Sequence, residues 1–336
     1  MDIGLSSLAF VIAALCAGTM GFAIQRGATC TVAAVDEVVG KRSFNRLTAL
    51  VEASIWVGGG LALAETFHLL GKMPAGYPVS YLTVLGGVLL GLGAYVNRAC
   101  VFGAVARFGS GEWAYIATPL GIYVGCLIVT SGFSPPAHAR LPYGSPILAI
   151  ALWLALPFLG FVLWRLLRPL LSPSSATPRE PLAARLRHAL SSRVWEPHAA
   201  TIVIGITFVL MFLLVGAWDY TGALAELARG MSHSLLAKML LLVALFAGAT
   251  LGGYTAGRFR HTPISAKQLL KCFTGGVLMG WGGMLVPGQN DGLILVGMPL
   301  LWPYAWLAFL TMCLSIAAGL MIERFASEPT AQKSAS

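Results

Sequence analysis

Asn97–Trp113 reads NRACVFGAVARFGSGEW. Long apolar runs flank it, where a membrane chain would keep plain hydrocarbon. Yet this stretch holds Arg98, Cys100, Arg107 and a series of glycines. An earlier stretch, QRGATCTVAAVDEVV at Gln25–Val39, has the same character around Cys30. A later one, VPGQNDGLILVG at Val286–Gly297, takes the matching place further on, with Gln289 where a cysteine would correspond. Three interrupted apolar segments, two with a central thiol, set the reading of the rest.

The surroundings say what is being interrupted. The chain has 336 residues, 57% of them hydrophobic and 10% charged, against about 25% charged in a soluble domain. Mean hydropathy is +0.79. Apolar runs of about 20 residues recur from end to end, each long enough to cross a hydrocarbon core of roughly 30 Å as a helix. They fall near 3–24, 47–70, 81–96, 113–131, 146–167, 198–217, 235–254, 269–286 and 301–322. The expected fold is an all-α polytopic membrane protein with about nine transmembrane helices plus short broken or re-entrant helices. Glu52 and Glu65 lie near the ends of the second run, where snorkelling to an interface and a functional role are equal readings. WDYTGALAELARGMSHS at 218–234 reads as an external segment.

The formal net charge is +9. The arginines and lysines gather at 41–46, 165–193 and 258–271, beside apolar runs. That is the positive-inside pattern, and it excludes a nucleic-acid partner. It predicts a multi-pass protein of a bacterial inner membrane, with the N-terminus outside and the C-terminus inside. MDIGLSSLAF has an acid and no basic leader, so the first run reads as a retained span. Residues 1–167 form a first membrane half with spans one to five. Residues 168–197 form a basic cytoplasmic linker, and 198–325 a second, inverted half with spans six to nine. Residues 326–336 form a disordered tail. Within the linker, PLAARLRHALSSRVW reads equally as a solvated segment or as an amphipathic helix on anionic lipid headgroups.

Two halves of four spans about one extra span enter the membrane from opposite sides, as inverted-repeat transporters do. GGVLLGLGAYVNRAC at Gly86–Cys100 aligns with GGVLMGWGGMLVPGQ at Gly275–Gln289, which sets Cys100 opposite Gln289. Backbone breaks are tolerated in a bilayer only beside protein or a polar cavity, and matched breaks in two halves point to a binding site. Half-helix starts offer free N–H groups to an anion. The competing reading is that the glycines serve only close helix packing.

A thiol is a soft, weak donor. Cys30 and Cys100, one per break, suit a sulfur-containing anion handed on by weak contacts. Gln289 and Asn290 suit its oxygens, or else Gln289 caps a helix or pairs with a neighbour. Arg26 and Arg98 either steer an anion or anchor helix ends. Cys16, Cys126, Cys272 and Cys313 read as small core residues. No Cys-x-x-Cys pair occurs and no His stands at ligand spacing, so neither metal nor cofactor is expected. The histidines at 68, 138, 188, 198, 233 and 261 fall in loops or at span ends. No nucleophile–base pair emerges, and no enzyme is expected.

GFAIQRGATC, GLGAYVNRACVFGAVARFGSGEW and GVLMGWGGMLVPGQNDGLILVG resemble the YeeE/YedE family of bacterial sulfur-transport membrane proteins. The resemblance covers nearly the whole chain. It implies thiosulfate import across the inner membrane through an hourglass of inverted repeats, with short central helices and three cysteines along the path. Cys30 and Cys100 match the first two, and the third falls at Gln289. It also implies a cytoplasmic partner, either a sulfur-carrier protein or a regulator. Import therefore stands beside a second reading, a permease-like membrane sensor for sulfur compounds. A general small-anion channel is the third.

Overall fold

A computed structural model describes residues 7–71, 73–132, 140–171, 192, 194–230, 235–286 and 288–333. Among them there are helices and no strand. The first part of the chain forms α1 (Leu8–Arg26), α2 (Thr31–Lys41), α3 (Asn45–Thr66), α4 (Tyr81–Asn97), α5 (Val101–Gly109) and α6 (Ala117–Gly132). A connecting pair follows, α7 (Pro146–Ala149) and α8 (Ala151–Leu171). The second part forms α9 (Pro197–Val215), α10 (Tyr220–Ala228), α11 (Leu235–Thr255) and α12 (Ala266–Leu285). It ends with α13 (Gln289–Gly292), which continues as a π turn over Leu293–Gly297, and α14 (Pro303–Lys333).

Local chemistry sets these boundaries. Ser7 caps α1 by accepting the Phe10 N–H at 3.2 Å, and Ser80 with Thr83 makes a capping box at α4. Proline opens α7 and α9, where its missing N–H costs nothing. Arg98 ends α4 in the left-handed region at φ 60°. Gly288, at φ 100°, precedes α13, which is bent 50° from α12.

The chain is a polytopic helical membrane protein. Among the described residues seven helices or helix pairs are long and apolar enough to cross a membrane, or eight with the bent α12–α13 pair. The remaining expected run, near 146–167, is α7 with α8, of which Ala151–Arg165 is apolar. Leu152, Trp153, Leu156 and Leu163 along it are exposed.

Two packed groups build the molecule. In one, α1 lies against α9 and α11, and α9 against α3. In the other, α12 lies between α4 and α6, and α4 also packs on α14. The α4–α12 crossing is backbone on backbone. A Cβ on Gly93 would stand 2.7 Å from the Gly275 carbonyl oxygen, and one on Gly282 2.6 Å from that of Gly86. Only glycine permits such an approach.

The bundle has two unlike ends. One is basic. There Arg324 pairs with Asp36 at 2.8 Å, Arg46 with Glu37 at 3.4 Å and Arg165 with Glu52 at 3.0 Å. The other is aromatic, with Tyr77 edge-on to Tyr304 and Tyr143 beside Trp302. Both readings offered for Glu52 give way here. It is buried, accepts from Trp56 Nε1 at 3.3 Å and bonds His198 and Arg165, so it ties α3 to α8 and α9.

The segment at 218–234 holds more than connecting chain. Its first part is α10, a short helix with Tyr220, Thr221, Ala223, Leu224 and Ala228 buried. Nine apolar-faced residues are too few to register as a span, which is why it reads as a loop. The proposed amphipathic stretch of the linker lies almost wholly outside the described residues. The 326–336 tail is helical as far as Lys333.

Candidate anion path at the short-helix starts

α2 and α5 each begin at a cysteine. Cys30 and Cys100 occupy the residue just before the helix in extended backbone, so the first-turn N–H groups lie beside the sulfurs. The Thr31 N–H donates to Cys100 Sγ at 3.0 Å, and the two cysteine side chains adjoin. Gly103 makes this possible: a Cβ there would stand 2.4 Å from Cys30 Sγ. Cys100 is fully buried and Cys30 half-buried, and both are free thiols. A small cavity, of about 10 Å³, is lined by Thr29, Cys30, Arg46, Leu50, Pro197 and Thr201, between the starts of α3 and α9. The two thiols expected at the breaks are therefore side by side, and one meets a cavity.

The second pair of short helices starts differently. Asp219 caps α10 by accepting the Gly222 N–H at 2.6 Å. Asp291, in the first turn of α13, accepts the N–H groups of Tyr220 at 3.1 Å and Thr221 at 3.2 Å. The Thr221 hydroxyl bridges the two carboxyl groups, 3.3 Å from Asp219 Oδ1 and in contact with Asp291 Oδ1. Tyr220 reaches across to α5, its hydroxyl 3.4 Å from the Val101 carbonyl oxygen. The thiol pair and the acid pair are thus linked through one phenol.

Gln289 and Asn290 are buried at the start of α13. Gln289 does not join the thiol pair. Its side chain lies over Gly283, with Nε2 3.6 Å from Cys126 Sγ and Oε1 without a hydrogen-bond partner. Both amide atoms of Asn290 are buried without a partner, as are the hydroxyls of Thr29 and Thr31. Unsatisfied buried polar groups are rare in proteins, and several of those in this one stand at the short-helix starts.

The arginines are occupied. Arg26 is buried, donates to Thr255 Oγ1 at 2.9 Å and to the Ser192 carbonyl, and lies over the Phe22 ring. Its own carbonyl accepts the Trp195 N–H at 3.1 Å. Arg98 bonds Glu323 at 2.7 Å and stacks on Tyr95, which fastens α4 to α14.

Sequence reasoning missed Asp219, Thr221, Asp291, Cys126 and Arg46. The Asp-x-x-Gly step at 219–222 and the Asn-Asp-Gly step at 290–292 were the available signals, since acids followed by small residues favour helix starts. For Cys126, in the middle of an apolar run, there was no signal.

Half-helices that start at polar breaks inside a membrane bundle are a feature of transport proteins. The chain belongs to the sulphur transport family, whose model matches residues 26–318. It is also similar to the thiosulfate transporter TsuA of Escherichia coli (strain K12), at 24% identity over 326 residues, 90% of this chain and 91% of that protein.

Proposed function

We propose that this protein imports a sulfur-containing anion, thiosulfate first, across a bacterial inner membrane, and that it is a transporter without enzymatic activity. The adjoining thiols of Cys30 and Cys100, held at two helix starts by the Thr31 N–H, carry this reading. Sulfur is a poor ligand for hard ions and a good neighbour for the terminal sulfur of thiosulfate. Weak contacts suit passage, because the anion must also leave. Asn290 serves its oxygens with an amide NH2 group that the protein leaves unsatisfied, and Gln289 joins it by turning its Nε2 from Cys126. Arg26, four residues before Cys30, sets a favourable field for an anion, while the charges of Arg46 and Arg98 are offset by Glu37 and Glu323.

The path runs between two inverted halves, with the basic end and the linker at the cytoplasmic face and the N-terminus outside. The glycine crossing supports this. Positions 86 and 93 align with 275 and 282 in the Gly-Gly-Val-Leu register. The contact of Gly86 with Gly282 therefore has its counterpart in that of Gly275 with Gly93. α2 and α5 then occupy the inner half of the membrane, and α10 and α13 the outer half.

One observation favours the sensor reading. The end of the linker bonds both the guanidinium and the carbonyl of Arg26, four residues from Cys30. A cytoplasmic regulator or sulfur-carrier protein gripping the linker would feel the state of the path. Uptake of labelled thiosulfate by transport-deficient cells expressing this chain decides the matter. Import should depend on both Cys30 and Cys100, and folded protein without uptake would leave the sensor.

A further inference from the structure

Resting on the transport reading, we infer that Asp219, Thr221 and Asp291 form a proton site that couples passage of the anion to movement of a proton. Thr221 Oγ1 faces Asp219 Oδ1 at 3.3 Å and also contacts Asp291 Oδ1. A hydroxyl has one proton to give. Two carboxylates about it leave one oxygen–oxygen contact without hydrogen, and one carboxyl proton fills it. Whichever aspartate holds that proton, the pair carries one negative charge, set against the N–H groups of Tyr220, Thr221 and Gly222.

Nothing else nearby supplies the balance. Among the described residues no arginine, lysine or histidine bonds either carboxyl group. On α10, Glu226 is taken by Lys238 of α11, and Arg229 lies on Met284 of α12. Tyr304 of α14 faces Asp219, and Cys100 at the start of α5 faces Tyr220; neither is a cation at neutral pH. A backbone position is close as well: a Cβ on Gly292 would lie 3.4 Å from Asp219 Oδ2.

A second observation points to the anion itself. Asn290, directly before Asp291, is completely buried with both amide atoms unpartnered. An amide left unsatisfied beside a carboxyl pair fits a ligand present only in passing, and oxyanion oxygens are such a ligand. A dianion beside a fully ionised pair would meet two like charges in a low-dielectric site. Protonation of the pair lowers that barrier. The thiols, reached through Tyr220, lie on the far side, so the anion leaves the pair before it meets Cys100 and Cys30.

The test uses the full chain in lipid vesicles containing a trapped pH-sensitive dye, together with infrared spectra of the same protein. The wild type should show the carbonyl stretch of a protonated carboxyl group at neutral pH, and Asp291→Asn and Asp219→Asn should each lose or shift it. External thiosulfate should acidify the vesicle interior in the wild type. An acid-outside gradient should speed its uptake several-fold, and both variants should lose that response. Absence of the band, or uptake with no proton entry, overturns the inference. If neither variant is recovered folded, the wild-type dye signal alone decides. No thiosulfate uptake at all, with the band intact, overturns the transport reading and leaves the proton site established.

Discussion

Gln289 Nε2 and Cys126 Sγ lie 3.6 Å apart, so an amide at the start of α13 and a thiol in mid-α6 form one buried contact. Cys126 also bonds the Gly280 carbonyl at 3.7 Å. Cys126 is the core residue expected, and it also fixes the side chain that the proposal assigns to the anion's oxygens. Gln289→Leu removes the amide and offers an oxyanion nothing in return for lost hydration. Thiosulfate uptake should fall by about tenfold or more, as expected if about 1.4 kcal/mol is lost at the barrier. Cys126→Ala should have a smaller effect, and the double variant should be no worse than Gln289→Leu alone. Normal flux through Gln289→Leu would take the residue off the path.

Gly103→Ala tests the thiol pair by volume. The added methyl meets Cys30 Sγ, and overpacking of this kind costs roughly 1–3 kcal/mol. The midpoint of thermal unfolding in detergent should drop and uptake should be lost. Adding Cys30→Ala should restore most of the stability and none of the uptake. Cys100→Ala alone should leave the fold intact, by size-exclusion profile, and abolish transport.

Arg98 with Glu323 separates anchoring from steering. Both side chains are more than a third exposed, so the pair contributes about 0–1 kcal/mol to stability. Arg98→Glu should slow uptake, and adding Glu323→Arg should recover it, because the tie between α4 and α14 is remade with its charges exchanged. Failure of the exchange to recover uptake would mean that positive charge at position 98 acts on the anion directly.

Glu52→Gln should weaken the molecule without touching the path. It strands Arg165 and His198 around a buried position, and breaking one partner of a buried pair costs on the order of 3 kcal/mol. A clear fall in the unfolding midpoint is expected, with uptake per folded molecule close to that of the wild type.

The polytopic helical fold was legible because hydropathy and length decide it. Most of the long helices begin and end within a few residues of the apolar runs, and α14 runs on past its run to Lys333. Cys30 and Cys100 were legible as a pair because thiols beside arginine and glycine are conspicuous in a hydrocarbon background. Asp219 was not, because a nine-residue helix with an acid, a tyrosine and a threonine at its start has the composition of a loop. The difference lies in tertiary burial: the N–H groups of Tyr220 and Thr221 find Asp291 seventy residues on. The same reason hid Glu52, whose partners come from α8 and α9.

The glycine crossing of α4 and α12 bears on how the molecule can move. Side chains act as bearings between helices: they change rotamer and let one rod slide or tilt over the next. At Gly86, Gly93, Gly275 and Gly282 there are none, and backbone rests on backbone. The two long rods cannot come closer, and tilting either one jams it against the other. They form one fixed unit. Displacement is left to the parts packed around it, the short helices that start beside Cys30, Cys100, Asp219 and Asp291. On the path proposed above, opening and closing is then a matter of small shifts at these starts.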